Sequence, residues 1–126
     1  MVKVFGEPSW RIATDTVEAF LTESGAHLGP VAFQMRGRAI SPYHVAPWWD
    51  EGYDGPPILR VLRGDFLCVP FGGNDEPWNG EQHPIHGVTA NDRWTLYTQS
   101  DRTLTVRLES QLRRFTVERT VSVDPG

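Results

Sequence analysis

The chain has 126 residues, with 12 Lys and Arg against 16 Asp and Glu and a formal net charge of −4. That length fits one domain, residues 1–126, which can bury a core without disulfides or metals. Its basic residues are spread through a net-acidic chain, which argues against a nucleic-acid or anionic-membrane partner.

Cys68 is the single cysteine, so no intrachain disulfide can form. Residues 1–7 lack the apolar centre of a signal peptide, and no apolar run is long enough to span a bilayer. A cytoplasmic location is the resulting expectation.

Residues 16–22 alternate imperfectly between apolar and polar and predict a strand, followed by a turn at Ser24-Gly25. Residues 27–35 predict a second strand, with Gly29-Pro30 marking a bulge or an edge. Residues 41–57 hold four prolines and two glycines and predict an irregular excursion. Within it Trp48 and Trp49 are adjacent, so one of them is expected to face solvent, a ligand or another subunit. Residues 58–62 are ambiguous between helix and strand. Residues 65–69 read as a buried strand ending at Pro70, and residues 71–84 as a long loop of the kind that carries function.

The last third is the clearest. Trp94 and Leu96 alternate with Thr95 and Tyr97. Leu104, Val106 and Leu108 alternate with Thr103, Thr105, Arg107 and Glu109. Phe115, Val117, Val121 and Val123 share one parity against Thr116, Glu118, Thr120 and Ser122. A period of two over three successive segments predicts antiparallel strands with one buried face. Arg119 falls on the apolar parity and needs either an acidic partner or an exposed strand end. No helix is signalled by periodicity or caps, and the expected class is all-β, an antiparallel β-sandwich.

The chemistry concentrates between Cys68 and Trp94. That stretch holds His83 and His86, the carboxylates Asp75, Glu76, Glu81 and Asp92, and the indole of Trp78. His83 and His86 are three apart, so in an extended chain they point to opposite faces and do not chelate one ion without a turn. Glu81, His83 and His86 would be the ligands of a cupin-type metal enzyme, the competing reading. Beside Gly87, which permits close approach of backbone or ligand, His86 could donate to a hydroxyl. Trp78 could stack on the apolar face of a pyranose. The four carboxylates are available for acid–base work, against the plainer reading of a solvated acidic loop.

Leu67-Cys68-Val69-Pro70-Phe71-Gly72-Gly73-Asn74, then His83-Pro84-Ile85-His86-Gly87-Val88-Thr89-Ala90-Asn91 and Trp94, resembles the galactose mutarotase-like, or aldose 1-epimerase, family in its N-terminal portion. Gly25-Ala26 is similar to that family's early Gly-Ala turn, and residues 115–126 resemble the strand that opens its next layer. The resemblance implies part of a large antiparallel supersandwich that binds a hexose and interconverts its anomers without a cofactor. It makes His86 the histidine that orients the sugar near its ring oxygen, and it implies a monosaccharide or sugar phosphate as ligand. Asn74, Trp78 and His86 are the candidate ligand contacts, with His83 behind them.

The chain departs from the family pattern where arginine is common, holding Gly73 and Ala90 there. The family's second histidine, its acid, and its glutamate base fall beyond Gly126. The expectation is therefore a carbohydrate-binding protein that is incomplete as an isomerase on its own; a non-catalytic interaction domain is the third class. An apolar last strand without a sequence-local partner further predicts a homodimer through the C-terminal strands, with the Trp48-Trp49 pair as a possible contributor and an interface on the order of 2,000 Å².

Overall fold

The computed structural model describes residues 1–124. These residues form an all-β sandwich of two antiparallel sheets, with two short helices in the connection between them. The first sheet is a five-stranded meander in chain order: β1 (Val2–Val4), β2 (Glu7–Ala13), β3 (Val17–Thr22), β4 (Leu28–Met35) and β5 (Arg38–Ile40). Helices α1 (Pro57–Val61) and α2 (Gly87–Asn91) follow. The second sheet, again in chain order, is β6 (Thr95–Gln99), β7 (Thr103–Ser110) and β8 (Phe115–Ser122). No helix among the described residues is long and apolar enough to cross a membrane. Pro125 and Gly126, the end of the segment similar to the family's next strand, lie outside the described residues.

The core sits between the sheets. Trp10 and Ile12 from β2, Ala19 and Leu21 from β3 and Val31 from β4 meet Trp94, Leu104, Val106, Leu108 and Val123. The period-two pattern of β7 is realised as read: Leu104, Val106 and Leu108 are buried, and Thr103, Thr105 and Arg107 are not. On the outer face, Arg107 donates through Nε and Nη2 to one carboxylate oxygen of Glu118 of β8 and lies over the Tyr97 ring of β6, 4.1 Å from its centroid. The sheets are also tied at their rims, by Ala13 N–H donating to Asp101 O at 3.0 Å and Trp94 N–H donating to Glu23 O at 2.9 Å.

Gly29-Pro30 lies where the β3–β4 register slips. Ala19 faces Val31 and Leu21 faces Leu28, so β4 carries one extra residue. A proline has no N–H to give a ladder, and a bulge is where an interior strand tolerates one. Arg119 finds the partner that its parity demands: its guanidinium pairs with Asp65 and donates to Ala26 O at 3.0 Å.

Two expectations are corrected. Residues 65–69 are not a strand, for Asp65 makes only an isolated bridge with Leu28. The Thr89 side chain takes the place of a ladder there: Val69 N–H donates to its hydroxyl at 2.9 Å, and the hydroxyl donates to Leu67 O at 2.5 Å. Leu96 shares the parity of Trp94 and stands opposite Val106, yet is 46% exposed: β6 is the edge strand of its sheet, and all five of its residues are exposed. The ambiguous segment 58–62 resolves as α1, with Pro57 in its first turn.

Two truncations separate the core from the exposed edge. Leu104→Ala should lower unfolding free energy by about 2–5 kcal/mol, while Leu96→Ala should cost less than about 1 kcal/mol. Urea denaturation followed by tryptophan fluorescence reads both, and equal losses would contradict the difference in burial between the two side chains.

Candidate functional site

The loop 71–86 is ordered by its own polar groups. The Asn74 amide donates to Glu76 O at 2.6 Å and Glu81 O at 3.1 Å, and its oxygen accepts from His83 N–H at 2.6 Å. Gln82 closes the same ring by donating to Asp75 O at 3.0 Å. Beyond it, Trp78 and Glu81 exchange two backbone bonds of 2.9 Å around Asn79-Gly80, a two-residue hairpin turn with both central φ angles positive. Trp78 stands at that tip, 75% exposed.

His83 is buried under the Phe71 ring, with centroids 4.7 Å apart. Its Nε2 is 3.3 Å from Glu81 Oε2, and its Nδ1 has no hydrogen-bond partner. Glu81 also accepts from Arg113 Nε at 2.8 Å. Arg113 first, and His83 second, hold the Glu81 carboxyl below the usual carboxylate range. Asn74 and His83 thus belong to one unit that fixes the loop against the β7–β8 turn.

His86 belongs to a different group. It precedes α2 with φ 65° and ψ 11°, a left-handed conformation uncommon for a residue with a side chain. Gly87 follows at φ 76°, and a Cβ there would stand 2.6 Å from Val69 O and 2.8 Å from Phe71 O. The close approach that Gly87 permits is therefore by the chain's own backbone. His86 N–H donates to Gly72 O at 2.7 Å, which holds the backbone that carries the half-buried imidazole. Its Nδ1 lies 4.0 Å from the exposed Cys68 Sγ, and its ring meets Phe66 edge-on at 5.3 Å. Among the described residues, Nε2 of His86 makes no hydrogen bond.

Phe66 links this pair to the interior, stacking on His27 at 4.7 Å. His27 is fully buried. Its Nε2 donates to Ala90 O at 3.0 Å, and its Nδ1 is buried without a partner. Gly25 is required beside it, since a Cβ would fall 2.2 Å from Ala90 O and 2.6 Å from His27 Nε2. Burial lowers the His27 pKa from 6.5 to about 4; the bond to Ala90 opposes this, and the charges of Arg63, Arg119 and His86 add to it. The proximity of Asp65 and Arg119 completes the surroundings, since Asp65 precedes Phe66 and Arg119 acts on His27 through space.

Of the sequence candidates, then, Asn74 and His83 meet in one unit, Trp78 projects from it, and His86 joins Cys68 and Phe66. The cupin-type set is divided: Glu81 touches His83, while His86 turns to the thiol. Among the described residues, no group of three His, Cys, Asp or Glu side chains is arranged to hold a metal ion. His27, Phe66 and Cys68 were not singled out by pattern. His27 and Phe66 are far apart in sequence, and the bridge of Leu28 to Asp65, with Arg119 holding both Ala26 and Asp65, brings them together. Trp48 faces solvent, as expected of one of the pair, with its Nε1 donating to Leu59 O at 2.9 Å; Trp49 is half-buried, edge-on to Phe5. No protein-family model, curated protein or solved structure matches the chain.

Two measurements test this construction. Thr89→Val removes the hydroxyl that serves Val69 N–H and Leu67 O; it should cost about 2–4 kcal/mol in urea denaturation and broaden the amide resonances of residues 66–69, while Thr89→Ser should retain most of the stability. His27 supplies the second. The unfolded chain protonates it near 6.5 and the folded one only near 4, so its contribution is whole above pH 6.5 and is lost as pH falls toward 4. A shift of that size corresponds to about 3 kcal/mol. His27→Gln should flatten the loss between pH 6.5 and 4, and an unchanged slope would remove His27 as its source.

Proposed function

We propose that the protein binds a monosaccharide or sugar phosphate at the His86–Phe66–Cys68 group, as a carbohydrate-binding protein of aldose 1-epimerase-like character. The observation that carries this reading is a half-buried imidazole, held in a left-handed conformation against an aromatic ring, whose Nε2 has no protein partner. A strained backbone conformation persists only where its surroundings enforce it, and such positions concentrate at binding sites. A ring nitrogen beside an aromatic edge is a minimal reader of a hydroxyl next to an apolar C–H face. The motif resemblance puts His86 in the same role. Trp78 offers an uncovered indole for stacking, and Asn74 and His83 serve by holding the loop that carries it.

Catalysis needs more than one histidine. Anomer exchange requires an acid and a base on opposite sides of C1. Asp65, the carboxylate nearest Phe66 in the chain, is engaged by Arg119. Binding without rapid mutarotation is therefore the reading for this chain, in a cytoplasmic setting.

A second reading, of a different class, rests on Cys68 Sγ lying 4.0 Å from His86 Nδ1. A thiol next to an imidazole is a nucleophile in waiting if the pair transfers a proton.

One set of measurements addresses both. Titration with glucose, galactose and their 6-phosphates should shift His86 and Phe66 resonances and slow iodoacetamide alkylation of Cys68, and His86→Asn, which tolerates the left-handed backbone, should abolish both effects. No shift with any hexose at high concentration would sink the sugar reading. Alkylation that slows at least tenfold in His86→Asn without any sugar effect would favour the thiol reading. Polarimetry of fresh α-glucose and α-galactose should run at the buffer rate, and an acceleration lost in His86→Asn would show an active isomerase.

A further inference from the structure

β8 is an edge strand. It pairs with β7 along all eight of its residues and with no other strand among the described residues. Alternate residues therefore direct their backbone N–H and C=O groups away from the sheet, the template for another strand. Its side chains are cleanly divided: Phe115, Val117, Arg119 and Val121 are half-buried, while Thr116, Glu118, Thr120 and Ser122 are exposed. At the end of β8 is an apolar cleft of about 370 Å³, lined by Val17, Val31, Phe33, Tyr43, Val121 and Val123 among others. The five-stranded sheet continues past it, and Phe33 with its cross-strand neighbour Ile40, and then Met35, lie exposed on the same face as buried Val31.

We propose that a second copy of this chain covers this edge, β8 pairing antiparallel with β8 of the partner about a two-fold axis through Arg119. The occupant is identified by the pattern of the strand itself. With the axis at Arg119, Val117 lies opposite the partner's Val121, and Phe115 opposite the partner's Val123. Thr116 meets the partner's Ser122, and Glu118 meets the partner's Thr120. Just beyond the strand, basic Arg114 lies opposite the partner's acidic Asp124, twice over by symmetry. Apolar pairs with apolar, polar with polar, and one charge with its opposite, as an isologous contact requires.

Other registers fail on the same sequence. A slip by one residue pairs each apolar position with a polar one and turns the partner's apolar face to solvent. Centring the axis on Glu118 puts Val117 opposite the partner's Arg119, and centring it on Thr120 puts Val121 there; either way Arg114 loses the partner's Asp124. The register through Arg119 brings two guanidinium groups together, but each is already paired with Asp65 of its own chain. It also delivers the partner's Phe115 beside Val123, at the rim of the cleft that Phe33 lines. An apolar ring thus meets the apolar cleft, and the two three-stranded sheets become one of six.

Sedimentation velocity of the full chain at low micromolar concentration tests the proposal. Arg114 and Asp124 are exposed and outside the core, so their substitution leaves the fold intact, which circular dichroism verifies. Wild type should be a dimer. Arg114→Asp and Asp124→Arg should each raise the dimer dissociation constant by about tenfold or more, because each replaces two attractions by two repulsions. The double variant R114D/D124R should return to within about threefold of wild type, since it restores opposite charges in the same register. A monomer at every concentration would overturn the proposal. So would a dimer indifferent to the single substitutions, or one that the double variant fails to rescue.

Discussion

The hydroxyl of Thr89 is the joint on which the candidate site depends. It accepts from Val69 N–H and donates to Leu67 O, while the carbonyl of the same residue accepts from the Trp94 indole at 2.9 Å. Trp94 is in the core between the sheets, and Thr89 is fully buried. One residue therefore transmits the rigidity of the sandwich to a segment with no ladder of its own. A buried backbone group must be paired, and where no strand runs alongside, a side chain has to do the pairing. Phe66 and Cys68 flank the stapled Leu67, and His86 opens the helix that carries Thr89, so this contact ties the two parts of the group to each other.

Arg63 plays a comparable part on the far side of the same connection. It is buried, and its guanidinium donates to the carbonyls of Val4, Phe5 and Val61 at 2.8–2.9 Å. Burial lowers its pKa, and Glu7 opposes that loss through space. Three carbonyl acceptors satisfy a cation that no carboxylate among the described residues pairs with, and they fasten the first hairpin to α1. The long irregular excursion is thus anchored at Arg63 just before the site segment begins, and again at Arg119, whose guanidinium holds Asp65 and Ala26. Two arginines and a threonine do for residues 63–69 what hydrogen-bond ladders do for the sheets.

The alternation of β7 was legible because both of its neighbours are strands and its faces differ in environment. The same holds for Arg119, whose apolar parity demanded a partner and found Asp65. The strands that escaped notice are of two kinds. β1 and β5 have three residues each, too few to establish a period. In β2, Pro8 interrupts the apparent pattern at the strand's start, although Trp10 and Ile12 behind it are core. α2 has five residues beginning at a glycine, with no turn-to-turn repeat to detect. Residues 65–69 misled for a physical reason: Phe66, Leu67 and Val69 satisfy the composition of a strand, but composition does not reveal which group accepts the hydrogen bonds. His86 and Cys68 both stand in the motif, but their meeting with each other and with Phe66 was not legible, because a contact that depends on a threonine twenty residues away leaves no local signature.

The two histidines in contact with Phe66 show why local strain and burial are better guides to this site than its composition. His27 and His86 touch the same ring, yet their environments are opposite. His27 is fully buried, donates to Ala90 O, and has its pKa lowered chiefly by burial, so its neutral form is part of the packed core. His86 is half-buried in a left-handed turn, with Gly87 clamped under two carbonyls so that the turn cannot relax. A core needs no strained residue at its surface, and a left-handed non-glycine residue costs about 1–3 kcal/mol unless something repays it. Of the two, His86 is the one whose position the core does not explain, for its backbone is left-handed at the surface and its Nε2 has no hydrogen-bond partner among the described residues.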